Sequence, residues 1–199
     1  MSTLEPSDLD PDPLRALADW YEAAKEAGVH EPEAMCLATA DSRGRPSARM
    51  VLMRGLGPAG VDFYTNHESR KATELGENPH AAICIYWDSL GRQVRLEGPV
   101  ERLSREQSAE YFSARPRGSQ LAAWASAQSS PLDTRDELLR RVEDLERAYP
   151  DVVPLPTFWG GFRLAPVAVE FWSAGEFRMH DRIAYGRDEA GWSRVRLSP

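Results

Sequence analysis

Residues 170–182 read Glu170-Phe171-Trp172-Ser173-Ala174-Gly175-Glu176-Phe177-Arg178-Met179-His180-Asp181-Arg182. Ser173-Ala174-Gly175 reads as a turn between two extended segments, because glycine tolerates the positive φ of a tight reversal. A strand leaving that turn puts Arg178, His180 and Arg182 on one face, since side chains repeat every two residues. Phe177, Met179 and Ile183 take the other face, with Asp181 among them. Two guanidinium groups and an imidazole cannot form a core stripe, because nothing apolar would pair them. The row is as consistent with a solvated strand as with a phosphorylated, nitrogen-containing ligand, so the rest of the chain has to decide.

Outward from this stretch, 199 residues suffice for one domain with a sizeable core. The composition is that of a globular protein, 42% apolar and 28% charged. A net charge of −7 argues against nucleic acid or an acidic membrane surface as a general partner, so an anion site must be a local cluster. Lys25 and Lys71 are the only lysines. Cys36 and Cys84 each sit inside an apolar run and read as buried free thiols rather than a disulfide. There is no metal-ligand spacing, membrane span or signal peptide, so the expected location is the cytoplasm.

Residues 1–12 are acidic and contain proline, and read as a mobile segment ahead of a single domain over 13–199. Pro13 to about Ala27 has helical periodicity, with Leu14, Leu17, Trp20, Tyr21 and Ala24 on one face. Strands are expected over 34–40, 46–54, 61–65, 81–87 and 93–102, with Gly98-Pro99 marking a bulge or an edge. Capping boxes at Ser104 and Thr134 open two helices, and a short one runs from Arg117 to Ala125. The strand 61–65 feeds a helix whose first turn carries Ser69, Arg70 and Lys71. Amides at a helix N-terminus and two cations can cradle a phosphate, although the same residues would also serve as a solvated first turn. Tyr111 and Arg115, four apart, share a helix face, and Gln128-Ser129-Ser130 is a polar loop without evident structural duty. Six or more strands, mostly antiparallel, interrupted by helices, give an α+β chain: a small Greek-key β-barrel with helical decoration.

Taken together, ARMVLMR (48–54), FYTNxxSRK (63–71), YFSARPRGSQ (111–120), Gln128-Ser129-Ser130, PLPTFWGGFR (154–163) and EFWxxGEFRMHDR (170–182) resemble the pyridoxine (pyridoxamine) 5′-phosphate oxidase family of FMN flavoproteins. The resemblance runs from about Glu33 to the C-terminus. It implies an FMN-binding split barrel and a homodimer with FMN at the subunit interface. It assigns FMN to Arg49, Met50, Val51, Leu52, Met53 and Arg54, to Tyr64 and Thr65, to Arg70 and Lys71, and to Gln93, Gln128, Ser129, Trp172 and Arg182. It assigns the substrate phosphate to Arg54, Tyr111, Arg115 and Ser119, and places Arg178 and His180 over the pyridine ring as catalytic groups. The implied reaction is O2-dependent oxidation of pyridoxine or pyridoxamine 5′-phosphate to pyridoxal 5′-phosphate, with release of H2O2. Two departures stand out: Arg54 replaces the family's usual lysine, and the N-terminus is acidic (Glu5, Asp8, Asp10, Asp12) where relatives can carry a basic arm. A split-barrel FMN oxidase acting on a phenazine-type substrate and a non-catalytic FMN- or pyridoxal-phosphate-binding module are the rival readings.

Overall fold

The alternation of apolar and small residues in 34–40, 46–52 and 80–87 builds the first three strands of a sheet, β1 (Ala34–Ala40), β2 (Pro46–Leu52) and β5 (His80–Trp87). A computed structural model describes residues 3–199 of the chain. Between β2 and β5 lie β3 (Gly55–Gly57), β4 (Gly60–Asn66) and helix α2 (Arg70–Glu77). The chain continues through β6 (Arg92–Arg102), the helices α3 (Arg105–Ser113), α4 (Arg117–Ala125) and α5 (Arg135–Ala148), and the strands β7 (Trp159–Leu164), β8 (Ala168–Ser173), β9 (Asp181–Asp188) and β10 (Gly191–Leu197); α1 (Pro13–Glu26) precedes them all.

The strand order is β10-β9-β8-β6-β5-β1-β2, with β3-β4-β7 joining at β6. Every pairing among the described strands is antiparallel, and the curled sheet is the expected split β-barrel. β6 makes the split possible. Its first half, up to Glu97, pairs with β8, and its last three residues pair with β7. Gly98-Pro99, expected to be a bulge or an edge, lies inside the unbroken strand at this switch. A Cβ on Gly98 would stand 2.2 Å from the Ala165 carbonyl oxygen, so only glycine allows that crossing.

Met35, Leu37, Ile83, Ile85, Val94, Leu96 and Phe171 fill the barrel, and α1 closes one end with Leu14, Leu17, Trp20 and Ala24. Trp20 meets Phe171 edge to face at 5.0 Å, the favoured aromatic geometry. A second, smaller core of Phe112, Leu121, Val153 and Trp159 holds α3 and α4 beside β7. The Ser104 capping box forms with both of its bonds, which fixes the start of α3. Cys36 and Cys84 are free and face each other across β1 and β5, half-buried rather than enclosed.

Two segments differ from the sequence reading. Residues 4–12 lie along β9 and β10: Leu9 is buried, Tyr185 donates to the Asp10 carbonyl at 2.8 Å, and Arg194 donates to the Leu9 carbonyl at 2.7 Å. Composition suggested a loose tail, and these long-range main-chain contacts are invisible to it. Arg178 is also not on a strand. Residues 174–180 form a turn with a 3-10 step at Glu176–Arg178, and β9 starts only at Asp181. Phe177 and Arg178 have φ of 55° and 64°, and Phe177 is 89% exposed. The extended row of three basic side chains therefore does not form.

Candidate functional site

The first turn of α2 follows directly from β4, and β2 runs alongside, so the cations of two motifs converge. Arg49, Arg54, Tyr64, Thr65, Arg70, Lys71, Tyr111, Arg115, Ser119, Gln128 and Ser129 line one cleft of about 810 Å³, together with Met50, Val51 and Leu52. Ser47, Ala48, Pro116 and Trp159 complete its wall. Met53 points into the barrel core instead.

Lys71 is the most telling side chain. It is only 8% exposed, and its Nζ donates to Thr65 Oγ1 (3.1 Å), Gln128 Oε1 (3.1 Å) and Ser69 Oγ (3.4 Å), all neutral oxygens. Burial, with the Arg49 guanidinium nearby, pulls its pKa below the ordinary lysine value. An ammonium buried without a carboxylate is costly, and an anion in the cleft would relieve it. The Gln128-Ser129 loop now has a duty: Thr65 Oγ1 donates to Gln128 Oε1 at 2.7 Å, and Ser129 Oγ accepts the Arg70 amide at 3.2 Å.

In the same cleft, Arg115 lies over the Trp159 ring at 4.7 Å. Tyr64, Tyr111 and Trp159 stack in near-parallel planes, with Tyr64 and Tyr111 3.9 Å apart. Among the described residues, two buried side-chain polar atoms find no hydrogen-bond partner: Arg115 Nη1 and His67 Nε2. His67 is packed edge-on against Phe162, and burial keeps its pKa low, so it is a neutral ring. A guanidinium N–H has no such escape. Arg115 is a donor waiting for an acceptor, and Ser119 lines the same cleft. Arg54 is partly neutralised by Glu33 at 3.5 Å.

Glu74, which sequence reasoning passed over, organises Arg49 and Arg70 beside the cleft. It is 5% exposed and accepts from Thr39, Ser47, Arg49 and Arg70. Burial alone would raise its pKa, but these four donors outweigh burial and bring it to about 2, from an ordinary 4.5. A depressed carboxyl stabilises the fold above its unfolded pKa, and that contribution is lost as pH falls through the folded value. Wild-type melting temperature should therefore drop between about pH 4.5 and 2, and Glu74→Gln should flatten that acid limb while lowering the plateau at neutral pH. Parallel acid limbs in the two proteins would rule this out.

Gln93, Trp172, Arg178, His180 and Arg182 are not in the cleft. Gln93 pairs with Trp172 and Trp172 with Arg182 across β6, β8 and β9. The His180 ring lies 4.6 Å from Trp172, and Gly175 N–H donates to His180 Nδ1 at 3.2 Å. Glu170, also missed from sequence, holds the Arg182 guanidinium with two bonds of 2.9 Å. Strand register puts this row on the same sheet face as Tyr86, Cys84, Cys36 and Met50, the last at the cleft and 64% exposed. Five strand spacings separate β2 from β9, roughly 24 Å at about 4.8 Å each. Within one chain, Arg182 therefore lies far along the curled sheet from the cleft residues of β2.

The family model described as "Pyridoxamine 5'-phosphate oxidase" matches residues 21–148, and "Pyridoxine 5'-phosphate oxidase C-terminal dimerisation region" matches residues 159–199. A pyridoxine/pyridoxamine 5′-phosphate oxidase of Rubrobacter xylanophilus is 53% identical over 191 residues, covering 96% of this chain and 88% of the relative. One from Paraburkholderia phymatum is 47% identical over 200 residues, covering 100% and 94%. Among solved structures, PhzG from Burkholderia lata in complex with tetrahydrophenazine-1-carboxylic acid superposes with a TM-score of 0.94 at 33% identity, covering 100% and 99%. A pyridoxamine 5′-phosphate oxidase-related, FMN-binding protein from Nostoc punctiforme gives 0.77 at 21% identity over both full lengths, a likeness of fold.

Proposed function

The chain belongs to the pyridoxine/pyridoxamine 5′-phosphate oxidase family, and from that premise we propose that it is an FMN-dependent oxidase of pyridoxine and pyridoxamine 5′-phosphates, yielding pyridoxal 5′-phosphate. The observation that carries this reading is a pair of buried cations lining one cleft: Lys71, held only by neutral oxygens, and Arg115, whose Nη1 has no partner. Two phosphate-bearing ligands, cofactor and substrate, answer that arrangement.

FMN fits the donor set on the Lys71 side. Lys71, Arg70, Arg49 and the amides opening α2 would hold its phosphate, with Thr65, Gln128 and Ser129 fixing the cations. When bound, FMN would supply the two-electron redox chemistry for oxidising the substrate carbon beside the pyridine ring, with O2 as final oxidant and H2O2 as its product. The amine substrate would then lose ammonia by hydrolysis, whereas the alcohol gives the aldehyde directly. Arg115, Ser119, Tyr111 and Arg54 would take the substrate phosphate, where planar guanidinium groups and hydroxyls suit a monoester.

The remaining groups belong to a second copy. Pairing the exposed sheet faces of two chains about a two-fold axis would lay one chain's Gln93–Trp172–Arg182 row and 174–180 turn over its partner's cleft, and residues 159–199 match a dimerisation region. In the neutral ring, His180 Nδ1 accepts the Gly175 amide, so its proton sits on Nε2, free to donate to the substrate. Among the described residues Arg178 makes no ion pair, and it would polarise and orient the ring beside it. Arg178→Ala should lower turnover by about 10²-fold while FMN content stays near one per chain. Equal loss of both would contradict the role.

The phenazine-type reading is kept alive by the 0.94 superposition on PhzG. Arg115 with Ser119 favours a phosphate over a carboxylate, as does the higher identity to the B6-ester oxidases. Aerobic assays for H2O2 with pyridoxine 5′-phosphate and with a reduced phenazine carboxylate, side by side, decide between them. Peroxide and aldehyde from the first only support the proposal; peroxide from the second only replaces it; FMN retained with neither active would point to a binding module.

A further inference from the structure

We propose that Asp181 is a positioning residue of this active site, and that the N-terminal segment around Leu4 and Glu5 is the brace through which it acts. The inference rests on the reading that the 174–180 turn carries substrate-facing groups. Two bonds of its own hold that turn only in part, Gly175 N–H to His180 Nδ1 at 3.2 Å and the Met179 amide to the Glu176 carbonyl at 3.0 Å. Phe177 and Arg178 are consecutive non-glycine residues with left-handed φ, a conformation that persists only where the surroundings impose it.

The entry to the turn is fixed by the Ala174 amide on the Gly91 carbonyl (2.8 Å) and by Gly175, whose added Cβ would lie 1.9 Å from the Met179 carbonyl oxygen. The exit is fixed by Asp181, the residue next to His180. Its Oδ2 accepts the Leu4 amide at 2.9 Å, and its Oδ1 accepts Arg196 Nη1 at 2.5 Å. Arg196 Nη2 donates to the Leu4 carbonyl at 2.7 Å and pairs with Glu5 at 3.0 Å. One carboxylate thus joins three separate parts of the chain: the start of β9, the end of β10 and a segment 177 residues away. An exposed ion pair such as Arg196–Glu5 contributes little stability by itself. The geometry serves orientation: with Asp181 pinned on both oxygens, the backbone entering β9 cannot rotate, and Arg178 and His180 keep their direction. The acidic N-terminus is therefore suited to a task on this chain, where Glu5 neutralises Arg196 and brings the Leu4 main chain to Asp181.

The test uses the full-length FMN-loaded protein with Asp181→Asn, Arg196→Gln and the double variant. Asp181→Asn is expected to lower kcat/KM for pyridoxine 5′-phosphate by about tenfold or more, as small misplacements of catalytic groups do, with the FMN Kd within about twofold of wild type. The double variant should be no worse than Asp181→Asn, because both changes cut the same link. Amides 175–181 should exchange hydrogen faster in Asp181→Asn than in wild type. A kcat/KM within about twofold of wild type, a loss of FMN affinity in step with activity, or unchanged exchange at 175–181 would overturn the proposal. The exchange arm does not depend on the substrate. A wild type inactive on B6 esters refutes the functional reading, whereas unchanged exchange refutes the brace.

Discussion

Lys71→Met is expected to weaken FMN binding by about 10²-fold and, at the same time, to raise the melting temperature of the cofactor-free protein. The two effects have one cause. Lys71 Nζ is buried against Thr65, Ser69 and Gln128, with no carboxylate partner. In the cofactor-free state no carboxylate bonds this charge and Glu74 only partly offsets burial and the Arg49 charge, so an apolar side chain of similar length should be tolerated better. Gln128 Oε1 would keep its bond from Thr65, so the loop need not collapse. With FMN bound, the ammonium meets a phosphate in a sheltered site. A charge-assisted hydrogen bond there contributes about 1.5–3 kcal/mol, or roughly 10- to 150-fold in Kd. A stabilisation of about 1 kcal/mol in the free protein would move its melting temperature by about 2–4 °C. Flavin fluorescence titration and thermal melts on the same preparations check both. A fall in cofactor-free melting temperature would mean that Lys71 is a structural cation, and unaltered FMN affinity would remove it from the site.

Arg115→Met is the second. The KM for pyridoxine 5′-phosphate should rise by about 10- to 100-fold, while any turnover of unphosphorylated pyridoxine should be unchanged. The guanidinium is stacked over Trp159 with Nη1 unpartnered, and burial lowers its pKa relative to a free arginine. It therefore reaches the bound state without having to give up a protein partner. Methionine keeps contact with the indole, and the Tyr64–Tyr111–Trp159 stack does not depend on the charge. The phosphorylated and unphosphorylated substrates should thus separate. If both lose equally, Arg115 supports the pocket wall and the phosphate lies elsewhere.

Much of this molecule was legible in the sequence because its elements follow local rules. Leu14, Leu17, Trp20 and Ala24 at helical spacing do form the buried face of α1, and Ser104 with Gln107 does close a capping box. The strands fell where apolar runs met turn residues. What escaped was set by distance along the chain or by unusual backbone. Glu74 reaches Thr39, Ser47 and Arg49 across 25 to 35 residues, so no spacing could reveal it. Glu170 looked like one more strand carboxylate until the pairing of β8 with β9 set it against Arg182. The 174–180 turn misled because period-two reasoning assumes ordinary φ at Phe177 and Arg178. The N-terminal segment misled because its anchors are main-chain atoms. Motifs singled out the candidate residues, yet only the folded chain showed that one set lines a single cleft while Gln93, Trp172 and Arg182 lie together across β6, β8 and β9.

The central claim is that paired cations in this cleft set a flavin against a B6 phosphate ester in reacting position. Anaerobic addition of pyridoxamine 5′-phosphate to the FMN-loaded protein, followed by absorption spectroscopy, tests it most directly. The flavin bands should bleach, and return when air is admitted, with one pyridoxal 5′-phosphate formed per flavin reduced. A spectrum that shifts on binding but never bleaches, or that does not respond at all, would contradict the account.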